Sequence, residues 1–407
     1  MLLAPAARAT TAQVPAPALV PGSAVSVGYA TGDVSAGAVG TVAYVDGDAV
    51  WAFGHPFEGA GRRELFLQSA YVYGVVNNPV SAGDIATYKL AAPLDTIGTL
   101  RQDGISGIAG RLGPQPASYP LRVTVRDRDT GRLGSSLSRL ADERGVGFPT
   151  GFSTLSSLAV PAVVDAIQDG IGGSPVRQST DLCIRVSVAQ RKKALAFCNR
   201  YVGGGGDAEA MASGPLASDL ASATDLLDVY DASALTIKGV EIGVRVRRGL
   251  ALARLVSVSG PRVVSRGGVL TLKAKLRRPG GERITRTIKV SVPRTMPPGP
   301  RDVLLRGNDV DVAPTGDDSS TLDLSGLFDD TSGEEAPESP SSVAKLAEAM
   351  SGLHRYDGVT ARFVRVDAPA PQQLPGGREG IAQRARRAFR DSAIRVSGRA
   401  RWSVYVR

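Results

Sequence analysis

His55 is the residue in this chain best placed for acid–base chemistry. It lies in Trp51-Ala52-Phe53-Gly54-His55-Pro56-Phe57, with Gly59 and Gly61 just beyond. Residues 50–53 read as a strand, so the histidine falls just past a strand end in a Gly/Pro-rich bend. There the strand fixes the backbone while the imidazole projects outward, and imidazole is the side chain that trades a proton near neutral pH. The plain alternative is a loop histidine hydrogen-bonded within its own bend. Other chemistries are poorly supplied. The chain has two His and two Cys, scattered along its length, whereas a zinc site takes three or four N/S ligands. The four-glycine run at 203–206 is followed by neither Lys-Ser/Thr nor a helix start, so it is no phosphate cradle. No cofactor and no metal is implied. His354 follows a predicted helix end, where a cation complements the helix dipole.

The elements around His55 are short strands and tight turns. Segment 39–45, an Asp46-Gly47-Asp48 turn and segment 49–53 read as a β-hairpin. Further strands are predicted at 24–29, 64–76, 87–90, 98–101 and 121–126, giving one antiparallel β domain over 21–130 without a helix longer than two turns. Residues 127–149 are polar and poorly periodic. A helix is expected over 153–167, weakened by Pro161 unless that residue lies in the first turn. Segments 182–188 and 194–202 form a second hairpin around the basic turn Arg191-Lys192-Lys193. Cys183 and Cys198 lie symmetrically about that turn. In a symmetric hairpin they face each other about 4.5 Å apart at a non-hydrogen-bonded pair, within disulfide range. A bulge in either strand would leave two buried thiols instead.

Segments 21–33 (PGSAVSVGYATGD), 40–61 (GTVAYVDGDAVWAFGHPFEGAG), 87–93 (TYKLAAP) and 98–113 (GTLRQDGISGIAGRLG) resemble the SpoIVB-type serine peptidase domain. The most specific part is the strand–turn–strand leading into Gly-His-Pro-Phe. The resemblance covers about a quarter of the chain strongly, and the later β modules with TIKVSVPRTMPPGP (287–300) resemble C-terminal parts of long proteins carrying this domain. It implies a trypsin-like β fold, here partial, in which His55 is the catalytic base, with a protein or peptide as substrate and an extracytoplasmic or secreted setting. The family's serine lies in Gly-Met-Ser-Gly-Ser-Pro, and that motif as such is absent. The nearest segment is Gly170-Ile171-Gly172-Gly173-Ser174-Pro175. Ser174 is its candidate nucleophile, with glycine N–H groups as oxyanion donors. Equally, Gly172-Gly173 fits a helix C-cap and Gly-Ser-Pro a plain turn. Asp46, Asp48, Asp84 and Asp103 are the candidates to orient the histidine, Asp46 and Asp48 being equally suited to the turn itself. The alternative function is a catalytically inactive extracytoplasmic β-rich protein that binds other proteins.

With 407 residues and 43% hydrophobic content the chain can bury sizeable cores. Gly 48 and Pro 26 favour turns and short strands over a helical bundle. The net charge is +9, but the arginines are spread through strand-like segments rather than clustered with aromatics, so a solvated basic surface is expected and no nucleic-acid partner. No apolar run is long enough for a transmembrane helix. Residues 1–20 are Ala/Pro-rich without the apolar core of an intact signal peptide, and read as a linker or a truncated stump. A helical connector and the cysteine hairpin follow over 131–202. A Gly-rich linker is expected at 203–217, then a β-sandwich-like module at 218–308. An acidic disordered loop is expected at 309–340, and a C-terminal α/β segment at 341–407 completes the sandwich. Within these, a helix is expected at 219–230 and another at 341–353 capped by Ser341 or Ser342. The basic run 384–392 is at best a short helix. The fold class expected is mainly β: a partial trypsin-like antiparallel domain, an α/β connector and β-sandwich-like modules.

Overall fold

Alternating apolar residues close the first six strands into a ring. They are β1 (Ala24–Gly32), β2 (Ala36–Asp46), β3 (Ala49–Ala52), β4 (Gly61–Asn77), β5 (Thr87–Gly104) and β6 (Gly107–Leu112). The order β1-β2-β3-β6-β5-β4 returns to β1, every pairing being antiparallel. Val25, Val27, Val42, Leu65, Leu67 and Leu100 fill its interior. The computed structural model describes residues 19–77, 87–143, 154–171, 177–204, 214–307, 339–365, 386–390 and 394–407. The architecture is mainly β. No helix longer than two turns occurs among the described residues of 21–125, as the pattern predicts.

β1 belongs to two structures at once. Its first half pairs with β4 inside the ring, and its last residues, Ala30 to Gly32, pair with β8 (Leu133–Ala141). The register against β2 shifts between Gly28 and Ala30, so Tyr29 is the bulged residue where the strand changes allegiance. Beyond β8 the sheet continues through β7 (Ser118–Asp127), β11 (Ile237–Arg248), β9 (Arg177–Val188) and β10 (Leu195–Gly204). Helices α1 (Thr154–Ile171), α2 (Pro215–Asp228) and α3 (Val343–Gly352) bring residues such as Val163, Ile167, Leu220 and Met350 into the core on this sheet.

A second core lies between two smaller sheets. One has the order β15 (Arg283–Ser291), β14 (Val269–Arg277), β12 (Leu252–Ser259), β19 (Arg395–Ser397). The other has β13 (Val263–Val264), β20 (Arg399–Val406), β16 (Gly299–Gly307), β17 (Gly358–Arg365), β18 (Arg386–Arg390). Leu270, Leu272 and Ile288 from the first meet Val303, Leu305 and Val404 from the second.

Several elements differ from the sequence pattern. β8 lies where only polar, poorly periodic chain was expected. Its inward positions are Gly134, Ser136 and Ser138 before Leu140, so the alternation is one of size rather than hydropathy. A Cβ on Gly134 would stand 2.6 Å from the Cα of Gly170, which is how closely α1 lies on this strand. The predicted strands 87–90 and 98–101 are parts of one strand, β5. The basic run expected to be at best helical contains strand β18. α2 begins at Pro215, inside the expected linker, with Pro at a first-turn position where its missing N–H costs nothing. The expected boundary at 203–217 does not separate sheets, because β11 beyond it inserts between β9 and β7. Of the linker expected at 1–20 and the acidic loop expected at 309–340, residues 1–18 and 309–338 lie outside the described residues.

Cys183 and Cys198 are register partners in β9 and β10 and form a disulfide, with Cα atoms 4.1 Å apart. The hairpin symmetry of the sequence thus carries through without a bulge. The bridge closes a loop of sequence separation 15, and a loop of that size is worth up to about 3 kcal/mol. Cys183→Ser with Cys198→Ser is expected to lower the unfolding free energy in urea by about 2–3 kcal/mol. Thiol titration of the denatured, unreduced protein should find no free cysteine, and two free thiols would refute the pairing.

Candidate functional site

β3 ends at Ala52, and two successive residues with positive φ turn the chain out of it: Phe53 at 74° and Gly54 at 74°. Phe53 is the one non-glycine with positive φ among the described residues. That conformation costs a bulky residue roughly 1–3 kcal/mol, so the surroundings must hold it. They do so in two ways. The Phe53 N–H donates to the Thr41 carbonyl at 2.9 Å. Its ring also lies over Gly40, where an added Cβ would stand 2.2 Å from a ring carbon. Glycine at 40 is therefore what lets the strand exit where it does.

The exposed imidazole of His55 follows. Its Nδ1 is 2.8 Å from the Pro56 carbonyl oxygen. A carbonyl only accepts, so Nδ1 is the donor, and in a neutral imidazole with that hydrogen bond the lone pair falls on Nε2. That is the tautomer a general base requires. The ring also touches Phe53, with centroids 5.7 Å apart.

The rest of the loop is held from below by buried charges. Asp103, in β5, accepts from the backbone N–H of Phe57 at 2.8 Å, Glu58 at 2.8 Å and Ala60 at 3.2 Å. Both its oxygens are engaged in shaping the loop, and it makes no hydrogen bond to His55. Beside it Arg63 is 1% exposed. Its Nε and Nη2 donate to Glu143 at 2.9 and 2.8 Å, and Nη1 donates to Glu58. Glu143 also accepts from the Glu64 N–H at 2.8 Å. The guanidinium carbon lies 5.6 Å from the Tyr29 ring centre and 6.0 Å from that of Phe57. Burial alone would depress the Arg63 pKa, but the hydrogen bonds to Glu143 and Glu58 outweigh it and hold the group above its ordinary value. Burial, reinforced by the Glu58 carboxylate, raises the Tyr29 hydroxyl above the ordinary phenol range.

The structure does not gather the expected triad among the described residues. Ser174 and Asp84 lie outside them. Asp46 and Asp48 flank Gly47 in the β2–β3 turn, and Asp48 pairs with Arg111 at 3.0 Å across the ring's rim. Asp103 is near the loop but is a backbone clamp. His354 does follow α3, two residues past its end at Gly352. There its ring stacks edge-on against Tyr356, with centroids 5.1 Å apart, beside the half-buried Asp219. Burial raises the Asp219 carboxyl above the ordinary range, against the hydrogen bonds it accepts from Tyr201 at 2.6 Å and Asn199 at 2.7 Å.

The residues that sequence reasoning missed are Arg63 and Glu143. Arg63 shares parity in sequence with the buried Leu65 and Leu67, but the β4–β5 register shifts between Arg62 and Leu65, so alternation alone does not set its direction. Glu143 carried no signal, because its role depends on β8 docking beside β1. Among the described residues no group of His, Cys, Asp or Glu is arranged to hold a metal ion, and no helix is long and apolar enough to cross a membrane. Comparison with protein-family models, curated proteins and solved structures returned no match.

Removing one partner of a buried charge network leaves the others uncompensated, at about 3–5 kcal/mol. Arg63→Ala is expected to destabilise by that amount in urea unfolding. His55→Ala, at an exposed position, should change stability by no more than about 0.5 kcal/mol. Equal losses for the two variants would contradict this account of the loop.

Proposed function

We propose that residues 21–113 form a SpoIVB-type peptidase β domain, trypsin-like in its closed ring, and that His55 holds the position of its general base without a completed triad in the described part of the chain. The observation that carries the reading is the His55 loop itself. An exposed histidine stands just past a strand end, its Nδ1 donating to the Pro56 carbonyl, in a loop whose following residues are held by Asp103 and, through Glu58, by Arg63. In a working peptidase Nε2 would take the proton of a serine hydroxyl as the oxygen attacks a peptide carbonyl, and later return it to the leaving amine. Ser174 is the serine we assign to that role by motif. The C-terminal pair of sheets we read as the sandwich-like module of such proteins. The disulfide fits an extracytoplasmic or secreted setting, since such bridges persist in oxidising compartments.

A second reading is supported by one specific observation. Among the described residues the Pro56 carbonyl is the group hydrogen-bonded to the His55 ring, with neither a serine nor a carboxylate there. This favours a catalytically inactive β-rich protein that binds proteins or peptides. A serine hydroxyl without a base in hydrogen-bond reach is a poor nucleophile. A fluorophosphonate probe is therefore expected to leave the chain unlabelled. Labelling abolished by both His55→Ala and Ser174→Ala would establish a complete peptidase with that pair. Labelling indifferent to both substitutions would dispose of the peptidase reading.

A further inference from the structure

The outer face of the sheet built on β16 carries an arginine grid. β16 is central, with β20 on one side and β17 on the other. Residues directly opposite each other across an antiparallel pair share a face. One row is therefore Arg401, Leu304, Arg362 and the next Arg399, Arg306, Thr360. The opposite face holds Val303, Leu305 and Val404, which are buried in the second core, so the arginine face looks to solvent. A concavity of about 580 Å³ lies on this face, lined by the four arginines with Leu304 and Thr360.

This arrangement is costly by itself. Arg306 and Arg399 are direct register partners, and like charges placed directly opposite destabilise a strand pair. One carboxylate offsets the grid. Asp302, buried one row further along, accepts from Ser403 at 2.7 Å and from Arg401. Among the described residues no carboxylate forms an ion pair with Arg306, Arg362 or Arg399. Three guanidinium groups thus line one open concavity with no counter-ion among the described residues.

We propose that this face is a binding site for a small molecule bearing two or more linked phosphate groups. Guanidinium forks match phosphate oxygens in charge and in planar, two-pronged geometry. Adjacent strands are about 4.8 Å apart and successive rows about 7 Å, so Arg362 and Arg401 stand on strands about 10 Å apart. One phosphate reaches two of the arginines, whereas linked phosphates reach across both rows. Nucleic acid is disfavoured by the placement of Trp402. Its register partner is the buried Val303, and its indole is held by Arg262 at 4.0 Å and the Pro261 carbonyl at 2.9 Å, away from the grid. One exposed aromatic, Tyr405, shares the grid's face, two rows beyond Arg401, so the described residues offer a single ring there rather than the succession of stacking platforms that single strands use.

The test is calorimetric titration of the full chain with inorganic tripolyphosphate at physiological ionic strength, beside inorganic phosphate. Saturable binding to one site is expected, much weaker for phosphate alone. Arg306→Ala with Arg399→Ala should weaken tripolyphosphate binding by on the order of a hundredfold, about tenfold for each lost charged hydrogen bond. Lys192→Ala with Lys193→Ala removes the same charge from the exposed β9–β10 turn and should leave binding within about twofold, the scale expected where no contact is lost. In thermal melts, tripolyphosphate should raise the midpoint of the wild type and not that of the arginine variant. Without ligand, that variant should melt no lower than the wild type, because it sheds an opposed pair of like charges. No saturable binding, an equal loss in the lysine variant, or tighter binding of a single-stranded oligonucleotide through the same arginines would overturn the proposal.

Discussion

A guanidinium 1% exposed inside a β ring has to be matched by carboxylates, and much of the N-terminal structure is arranged around that need. Arg63 lies near the start of β4, Glu143 just past β8 and Glu58 in the loop after His55. The ion network therefore joins the His55 loop and the adjoining start of β4 to the end of β8, 80 residues further along the chain. It ties the ring to the strand that follows it in the larger sheet, and it sets the floor of the loop that presents His55. A buried ion pair of this kind contributes little net stability compared with an apolar substitute, but it tolerates only one arrangement of its members. The conformation of the loop is what it specifies.

The bulge at Tyr29 is the other half of the same joint. An unbroken β1 would run on beside β2. The shifted register instead lets its last residues pair with β8. The bulged residue itself is turned to use, its ring 5.4 Å from that of Phe57 and under the Arg63 guanidinium. Strand exchange, charge burial and loop placement meet within a few ångströms.

In the C-terminal pair of sheets the logic is reversed. The Arg63 cation is buried and saturated with partners, whereas the β16 grid lies on an outer face and is short of them among the described residues. The two sites have the same residue type and opposite consequences, decided by whether the strand face points into a core or out of it.

The alternation of apolar residues in the sequence was enough to place most strands, the β2–β3 hairpin at Asp46-Gly47-Asp48 and the mainly β class. The symmetry of Cys183 and Cys198 about their turn was enough to pair them, because hairpin register is local. The position of His55 past a strand end was legible for the same reason. α1 formed despite Pro161 at its eighth position, since packing against β7 and β8 outweighs a missing N–H. What the sequence did not carry was everything that depends on which strand lies beside which. β8 was hidden because its inward residues are small, and their smallness is meaningful only under α1. Asp103 looked like a partner for the histidine but clamps the loop backbone, a choice made by β4–β5 register. The arginine grid is dispersed over three segments from 299 to 407 and becomes a cluster only when β16 is placed between β17 and β20. Local pattern determines the elements, because side-chain alternation and turn chemistry act within a few residues. Which faces become core, clamp or charged surface is settled only by tertiary pairing, because electrostatic and packing partners are set by distance in space.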